Sequence, residues 1–512
     1  MRKYLPNRHF TTITTIYLLF GRPIKVASKV AIYSAAVLMK LPWPAAYLWY
    51  INGIADRLGA HINSDIYKPE TFISLAGAAR KALEHLGRIA PDMPQAKALR
   101  GTIAFLTGDT KTWLAMQYEI FAFQEQQVLL ASPIHRNVRV LGPVHHIVIG
   151  IGSTVHIDTY IKAGILGLRQ SSRAILLLEP FLKREIVNPC MLEYWSHHIE
   201  FIDDPDKLRA LRPLQDKLAF DICGPMRLGE KTIPWGHSAA VLVQQQWLHQ
   251  QRTPLLKLTP EHVARGRKEL RNIGIPEDAW FVTAHVREGN FGRHRFEEPY
   301  RDANIKTYFA GFQSVTDVGG WVIRLGDSSM PQISPMRNVF DYAHSAYKSD
   351  WMDVFLSAAA RFMIGTSSGM SCVSYAFGVP IAMTNYLSTS TLYPDCDSLF
   401  LPKLLRHLAD GEYVNFRQQM SLPLSIVNSS GMFRNRFGLE VVPNTSEDIR
   451  DLIIEMLEKL GGVVCYNHED TVLQNRFRTI TAEMETLPGL PGVAVPSRIG
   501  RNFLARHKHL LD

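Results

Sequence analysis

Four apolar runs of this 512-residue chain end in residues able to handle an anion or a proton. Trp280–Val286 contains His285 and leads into Arg287-Glu288-Gly289-Asn290. Trp321–Gly326 carries Arg324 and leads into Asp327-Ser328-Ser329. Arg361–Gly365 leads into Thr366-Ser367-Ser368-Gly369 and then directly into helical text, while Val379–Thr384 leads into Asn385-Tyr386. If the runs are parallel strands, their tails gather at one sheet edge, where open α/β folds bind ligands. An arginine fork there suits a monophosphate or diphosphate leaving group. GTSSG before a helix lets backbone N–H groups approach an anion with the helix dipole behind them, and the hydroxyls of Ser367 and Ser368 add donors. Each feature also has a structural explanation, since serine often caps helices and Arg287 could pair with Glu288 or Asp327. Their clustering at Arg287, Arg324 and the GTSSG turn is what points to an anion site.

Other chemistries are poorly served. The five cysteines (Cys190, Cys223, Cys372, Cys396, Cys465) include no CxxC pair, which argues against a disulfide framework or a cysteine-based zinc site and for a reducing compartment. Asp395-Cys396-Asp397 has the spacing of an acidic metal motif but sits after Pro394 in loop-like text, so no metal site is expected. The pairs His145-His146 and His197-His198 lie in or before strand candidates and read as structural. Gly150-x-Gly152 suggests a dinucleotide fingerprint, yet Val155 stands where the third glycine belongs.

The elements that must position these residues follow from periodicity. Residues 71–132 read as helical, with LAGAARKALEHLGRIA and TWLAMQYEIFAFQEQQ on either side of a Gly108-Asp109 turn. Over 133–258 the runs HHIVIGIGST, AILLLEP and HIEFIDD read as strands among helical stretches, a first Rossmann-like unit. Over 259–445 the four runs above, with LEVVP at Leu439–Pro443, alternate with TPEHVARGRKELRNIGI, IKTYFAGFQSV, SDWMDVFLSAAA and MSCVSYAFG, a second doubly wound unit. Residues 446–512 begin a helix at a Thr445-x-x-Asp448 capping box.

Composition bounds the rest. With 46% hydrophobic and 20% charged residues the chain is globular. Of its net +9, residues 1–60 hold +7: eight basic residues against Asp56 alone. Basic surface confined to one end argues against nucleic acid. The same end carries the uncharged runs VAIYSAAVLM and LPWPAAYLWYINGIA, too short to span a bilayer and interrupted by Pro42 and Pro44. With Trp43, Tyr47, Trp49 and Tyr50 they suit an anionic cytoplasmic leaflet, so residues 1–70 are expected to associate peripherally with the inner face of the membrane. The alternative is a buried helical hairpin.

The run SDWMDVFLSAAARFMIGTSSGMSCVSYAFGVP, with HVREGN and RDANIKTYF before it, resembles a family of bacterial glycosyltransferases associated with surface-carbohydrate synthesis. HVREGN and the position of GTSSG are also similar to the fucosyltransferase-like superfamily, in which a histidine-x-arginine after a strand serves the nucleotide-sugar phosphates. The resemblance covers roughly residues 140–460. It implies a GT-B pair of Rossmann-like units, no metal and no cofactor beyond the nucleotide-sugar co-substrate. His285, Arg287, Asn290, Arg324, Asp327, Ser367, Ser368 and Gly369 would bind that donor, and a glycan or lipid-linked acceptor would face the first unit. A base for the acceptor hydroxyl would come from His156 or Asp158, or from Glu288 with Asp302 as its rival; Asp158 could equally cap the helix that follows. Two other readings remain: a GT-B-like pyruvyl or other group transferase, and a non-catalytic glycan-binding scaffold.

Overall fold

The computed structural model describes residues 33, 37, 39–40, 42–64, 66–131, 135–142, 144–233, 236–288, 299–387, 397–427, 429–483, 485–487, 490–491 and 496–512. Among the described residues from Pro44 onward, the leading elements are the helices α1 (Pro44–Ile62), α2 (Pro69–Ile89), α3 (Pro94–Thr107) and α4 (Thr110–Leu129). The first three begin on proline, whose fixed φ and missing N–H suit a first turn. Gly108 closes α3 in the left-handed region (φ 73), and Asp109 opens α4 by accepting from the Thr112 amide at 3.0 Å.

Pro44 therefore starts a helix rather than breaking one. Tyr47, Ile51, Ile54 and Leu58 are buried against Phe72, Ala79 and Leu86 of α2 and against Met432, Phe433 and Leu439 from late in the chain. From Pro44 to Ile62 the structure thus takes the buried alternative, because this apolar face is consumed by protein. No helix among the described residues is long and apolar enough to cross a membrane. The layer is fastened at its tips, where Asn435 donates to the Ile62 carbonyl at 2.7 Å and Arg436 donates to the carbonyls of Leu106 and Thr107.

The first α/β unit contains β1 (Val138–Gly142), α5 (Thr154–Ile165), β2 (Arg173–Leu177), β3 (Glu200–Ile202), β4 (Ala219–Asp221) and α6 (Gly236–His249). Its sheet runs β3-β2-β1-β4 with every pairing parallel, Val140 lying opposite both Ile175 and Ala219. HHIVI is not the first strand. That strand is the preceding Val138–Gly142, whose alternating text VRVLG is less apolar, and Val144–Ile149 forms a short helix.

The second unit follows with α7 (Pro260–Asn272), β5 (Phe281–His285), α8 (Phe309–Asp317), β6 (Trp321–Arg324), β7 (Val339–Phe340), α9 (Asp350–Ala359), β8 (Met363–Gly365), α10 (Gly369–Ala376), β9 (Ile381–Tyr386) and β10 (Leu399–Pro402). Next come β11 (Leu404–His407), β12 (Leu439–Val442), α11 (Ser446–Leu460), α12 (His468–Glu483) and β13 (Arg498–Ile499). The sheet order is β13-β10-β9-β8-β5-β6-β7, all parallel. LEVVP is a strand but not a member of this sheet, since β12 pairs antiparallel with β11 as a separate two-stranded ribbon. The last residues complete the unit: Ile449, Leu452, Phe477 and Leu511 share one core with Val282, Ile364 and Phe400. Two Rossmann-like units in succession make the GT-B-like pair, and they touch at Gly369 against Ile151 and Gly152, at Asn188 donating to the Asp350 carbonyl (2.9 Å), and at Tyr194 bonded to His262 (2.7 Å).

Candidate functional site

The carboxyl edge of the second sheet is stitched together by backbone. The Thr366 amide donates to the His285 carbonyl at 3.1 Å, and the Arg287 amide donates to the Thr366 hydroxyl at 3.0 Å. These bonds bring the end of β5 against the turn after β8. Gly365 permits it, because a β-carbon there would overlap the His285 carbonyl. The buried Arg287 side chain turns to Asp302, its Nε 3.1 Å from Oδ1, rather than to Glu288 or Asp327.

Arg324 behaves differently from expectation. Its side chain is fully enclosed, with Nη2 3.2 Å from Glu288 and Nη1 3.0 Å from Asp341. A guanidinium held between two carboxylates is oriented by them, so Arg324 acts on the edge through Glu288. Burial holds the Glu288 carboxyl above its ordinary range, although the Ile305 amide (3.4 Å) and Arg324 oppose this. His285 is buried beside the cluster, and burial followed by the Arg324 charge lowers its pKa to about 4, leaving a neutral imidazole at pH 7. Asp327 is occupied locally, accepting from the Ser329 amide at 2.8 Å.

Across the edge runs the strap Tyr300–Ala303. The Ala303 amide donates to the Arg287 carbonyl at 2.8 Å, and Arg301 donates to the Ser367 carbonyl at 2.7 Å. Asp302 meets Arg287, yet burial keeps its carboxyl above the usual range despite the Arg287 and Lys403 charges. Behind the strap is a cavity of about 670 Å³ whose lining includes Glu288, Asp302, Thr307, Asn385, Lys403 and Asn444. Asn385 takes a left-handed conformation (φ 53) and exchanges side-chain-to-backbone bonds with Asn444, at 2.5 and 2.9 Å, tying the end of β9 to the entry of α11.

The GTSSG turn forms the predicted helix start, with Ser368 as N-cap and Ser371 answering in a capping box. Ser368 is buried and accepts from the Ser371 amide, so its hydroxyl is committed to the chain, whereas Ser367 stays half-buried. Gly369 faces the first unit. In that unit His156 and Asp158 both lie within α5 and are buried. Asp158 does not cap the helix: it lies 2.6 Å from Lys162, which also donates to Gln244 (2.8 Å) and stands over the rings of Trp247 and Tyr375. Asp158 and Lys162 are enclosed together in the interior, and burial raises the pKa of Asp158 against the Lys162 charge. Asn290, Asp395 and Cys396 lie outside the described residues; Asp397 pairs with Lys459 at 3.0 Å. Among the described residues no group of three or more His, Cys, Asp or Glu could hold a metal ion. Sequence reasoning missed Arg301, Asp341 and Lys403.

No family model and no curated protein matches the chain. Among solved structures, a glycosyl transferase family 9 protein from Veillonella parvula aligns at 10% identity over 52% of this chain and 85% of its own, with a TM-score of 0.33. The ADP-heptose LPS heptosyltransferase II of E. coli aligns at 10% identity over 63% of this chain and 98% of its own, with a TM-score of 0.35. The iron-containing dodecameric glycosyltransferase TibC from enterotoxigenic E. coli aligns at 13% identity over 48% and 57%, with a TM-score of 0.29. At TM-scores below 0.5 these likenesses say nothing about function.

Proposed function

We propose that the chain is a glycosyltransferase that moves a sugar from a nucleotide-sugar donor to a hydroxyl of a bacterial surface glycan or lipid-linked acceptor. The observation that carries this reading is the convergence of Arg287, Arg301 and the Ser367 turn at a carboxyl edge that meets the first unit. Two guanidinium groups and a helix start suit the negative charge that grows on a departing phosphate. The leaving group departs toward them as the acceptor oxygen attacks the anomeric carbon in line. Glu288 and Asp302 line the adjoining cavity, and carboxylates there suit sugar hydroxyls and proton removal from the acceptor. Burial raises the pKa of both, against Arg324 at Glu288 and against Arg287, Lys403 and Arg301 at Asp302. His156 remains a second candidate base from the first unit. Donor contacts through His285 would use a neutral ring.

A thermal-shift panel of nucleotides and nucleotide sugars tests the reading. A cognate nucleotide at 100 times its dissociation constant should add about 2.7 kcal/mol of stability. Arg287→Lys keeps the charge but loses the fork, so it should weaken that nucleotide about tenfold. Unchanged affinity in the variant would remove Arg287 from the site, and no response to any nucleotide would favour a binding scaffold.

A further inference from the structure

Lys403 is the first residue after β10, and its side chain is almost wholly buried. Its Nζ donates to two backbone carbonyls of the strap, Tyr300 O at 2.9 Å and Asp302 O at 2.7 Å. Its own backbone is held on both sides: the amide donates to Tyr386 O at 2.7 Å and the carbonyl accepts from Gln419 at 2.6 Å. The ammonium thus stands on a rigid base and reaches across the edge of the sheet to the strap. From there the strap reaches outward through Arg301 to Ser367 O, the Asp302 carboxylate to Arg287, and the Ala303 amide to Arg287 O.

We propose that Lys403 is the positioning residue of this edge: by holding the carbonyls of Tyr300 and Asp302 it sets the strap, and the strap in turn presents Arg301 to the Ser367 turn and Asp302 to Arg287. The chemistry favours an ammonium for the task. Two carbonyls at one point need a multiple donor, and a charged donor makes the stronger bond. Burying it is unfavourable, as the lowering of its pKa to about 8 shows, with Asp302 the charge that opposes the shift. Glu288 lines the same cavity. A purely apolar side chain would fill the volume but leave both carbonyls unserved. The inference rests on the glycosyltransferase reading only for its consequence in donor binding.

The test compares full-length protein with Lys403→Met and Lys403→Arg by hydrogen exchange and by binding of inorganic pyrophosphate. In Lys403→Met, amides of residues 301–305 should exchange at least about tenfold faster, because both charge-assisted hydrogen bonds from Nζ to the strap are lost. Amides of β5, β6 and β8 should stay protected. Lys403→Arg, which keeps charge and donors, should retain most of the strap's protection. Pyrophosphate should bind Lys403→Met about tenfold more weakly than the wild type. Unchanged exchange over 301–305 overturns the proposal, and so does an increase shared equally by β5 and β8, which marks ordinary core damage. Should Lys403→Met not fold, Lys403→Gln, with N–H donors on a shorter arm, should give intermediate exchange over 301–305. If the wild type fails to bind pyrophosphate, the donor reading falls, while the exchange result still decides the role of Lys403.

Discussion

Gly369 and Ile151 occupy adjoining space across the two α/β units: a β-carbon on residue 369 would overlap the γ2 methyl of Ile151, with the Gly152 amide 3.3 Å behind it. The glycine is required by close approach and not by a left-handed backbone, since Gly369 opens α10 with a φ outside the positive region. Gly369→Ala should therefore destabilise the pair of units by about 1–3 kcal/mol, the range for overpacking. Gly369→Asn should fare no better, because tolerance of positive φ is irrelevant here. Adding Ile151→Ala should restore much of the loss. Thermal midpoints of the single and double variants check this, and failure of Ile151→Ala to relieve the alanine would break the link.

Arg324 sits between Glu288 and Asp341 with no exposed surface. Removing one partner of a buried ionic group costs about 3–5 kcal/mol because charge is left uncompensated. Arg324→Met should cost that much at neutral pH. The sign with pH follows from Glu288. Its carboxyl titrates above the ordinary range in the folded state, so the folded protein takes up that proton before the unfolded chain does. Lowering the pH toward that raised range protonates Glu288 and relieves the variant, so its deficit should shrink as the pH falls from neutrality. A deficit independent of pH in denaturation experiments would exclude Glu288 as the group left uncompensated.

His285 gives the opposite slope. Its folded-state pKa, about 4, lies below the unfolded value, so the folded protein binds fewer protons between these limits. Stability is complete above about pH 6.5 and declines as pH falls toward 4, by an amount of order 3 kcal/mol. His198, His262 and His507 are also lowered by burial, so the comparison that isolates His285 is wild type against His285→Gln. The variant should lose part of the acid-side slope. Identical slopes would mean that another histidine carries it.

The edge residues were legible where a strand was strongly apolar. WFVTAHV, WVIRLG, RFMIG and VPIAMT are strands, and their tails do meet at one edge. What escaped was what short or polar strands carry. LFLP at Leu399–Pro402 is four residues long, and with it went Lys403, the residue at its end. Asp341 follows the two-residue β7, which has no period to detect. KLAFDIC hides β4, a three-residue strand after a helical turn. Arg324 was visible as a strand-end arginine, but its enclosure depends on Asp341, 17 residues away, which no local pattern reveals.

The N-terminal basic segment divides at Pro44. Residues 1–32 contain Arg2, Lys3, Arg8, Arg22, Lys25 and Lys29 with no acid, whereas Pro44–Ile62 is packed protein. These two parts should respond differently to truncation. Polybasic attraction to an anionic surface is worth about 1 kcal/mol per residue, so removing residues 1–32 should abolish most binding to phosphatidylserine vesicles and leave the thermal midpoint nearly unchanged. Beginning the chain at Ser64 removes Tyr47, Ile51, Ile54 and Leu58 from their shared core, each worth about 1.5–3 kcal/mol when buried. The shorter chain should aggregate, because the faces of Phe72, Leu86 and Phe433 lose their cover. Sedimentation with vesicles at low and high salt, alongside light scattering of each chain, separates the two effects. A soluble, stable chain beginning at Ser64 would contradict the packing role of α1, and full-length protein that ignores anionic vesicles at low salt would remove the membrane from the account.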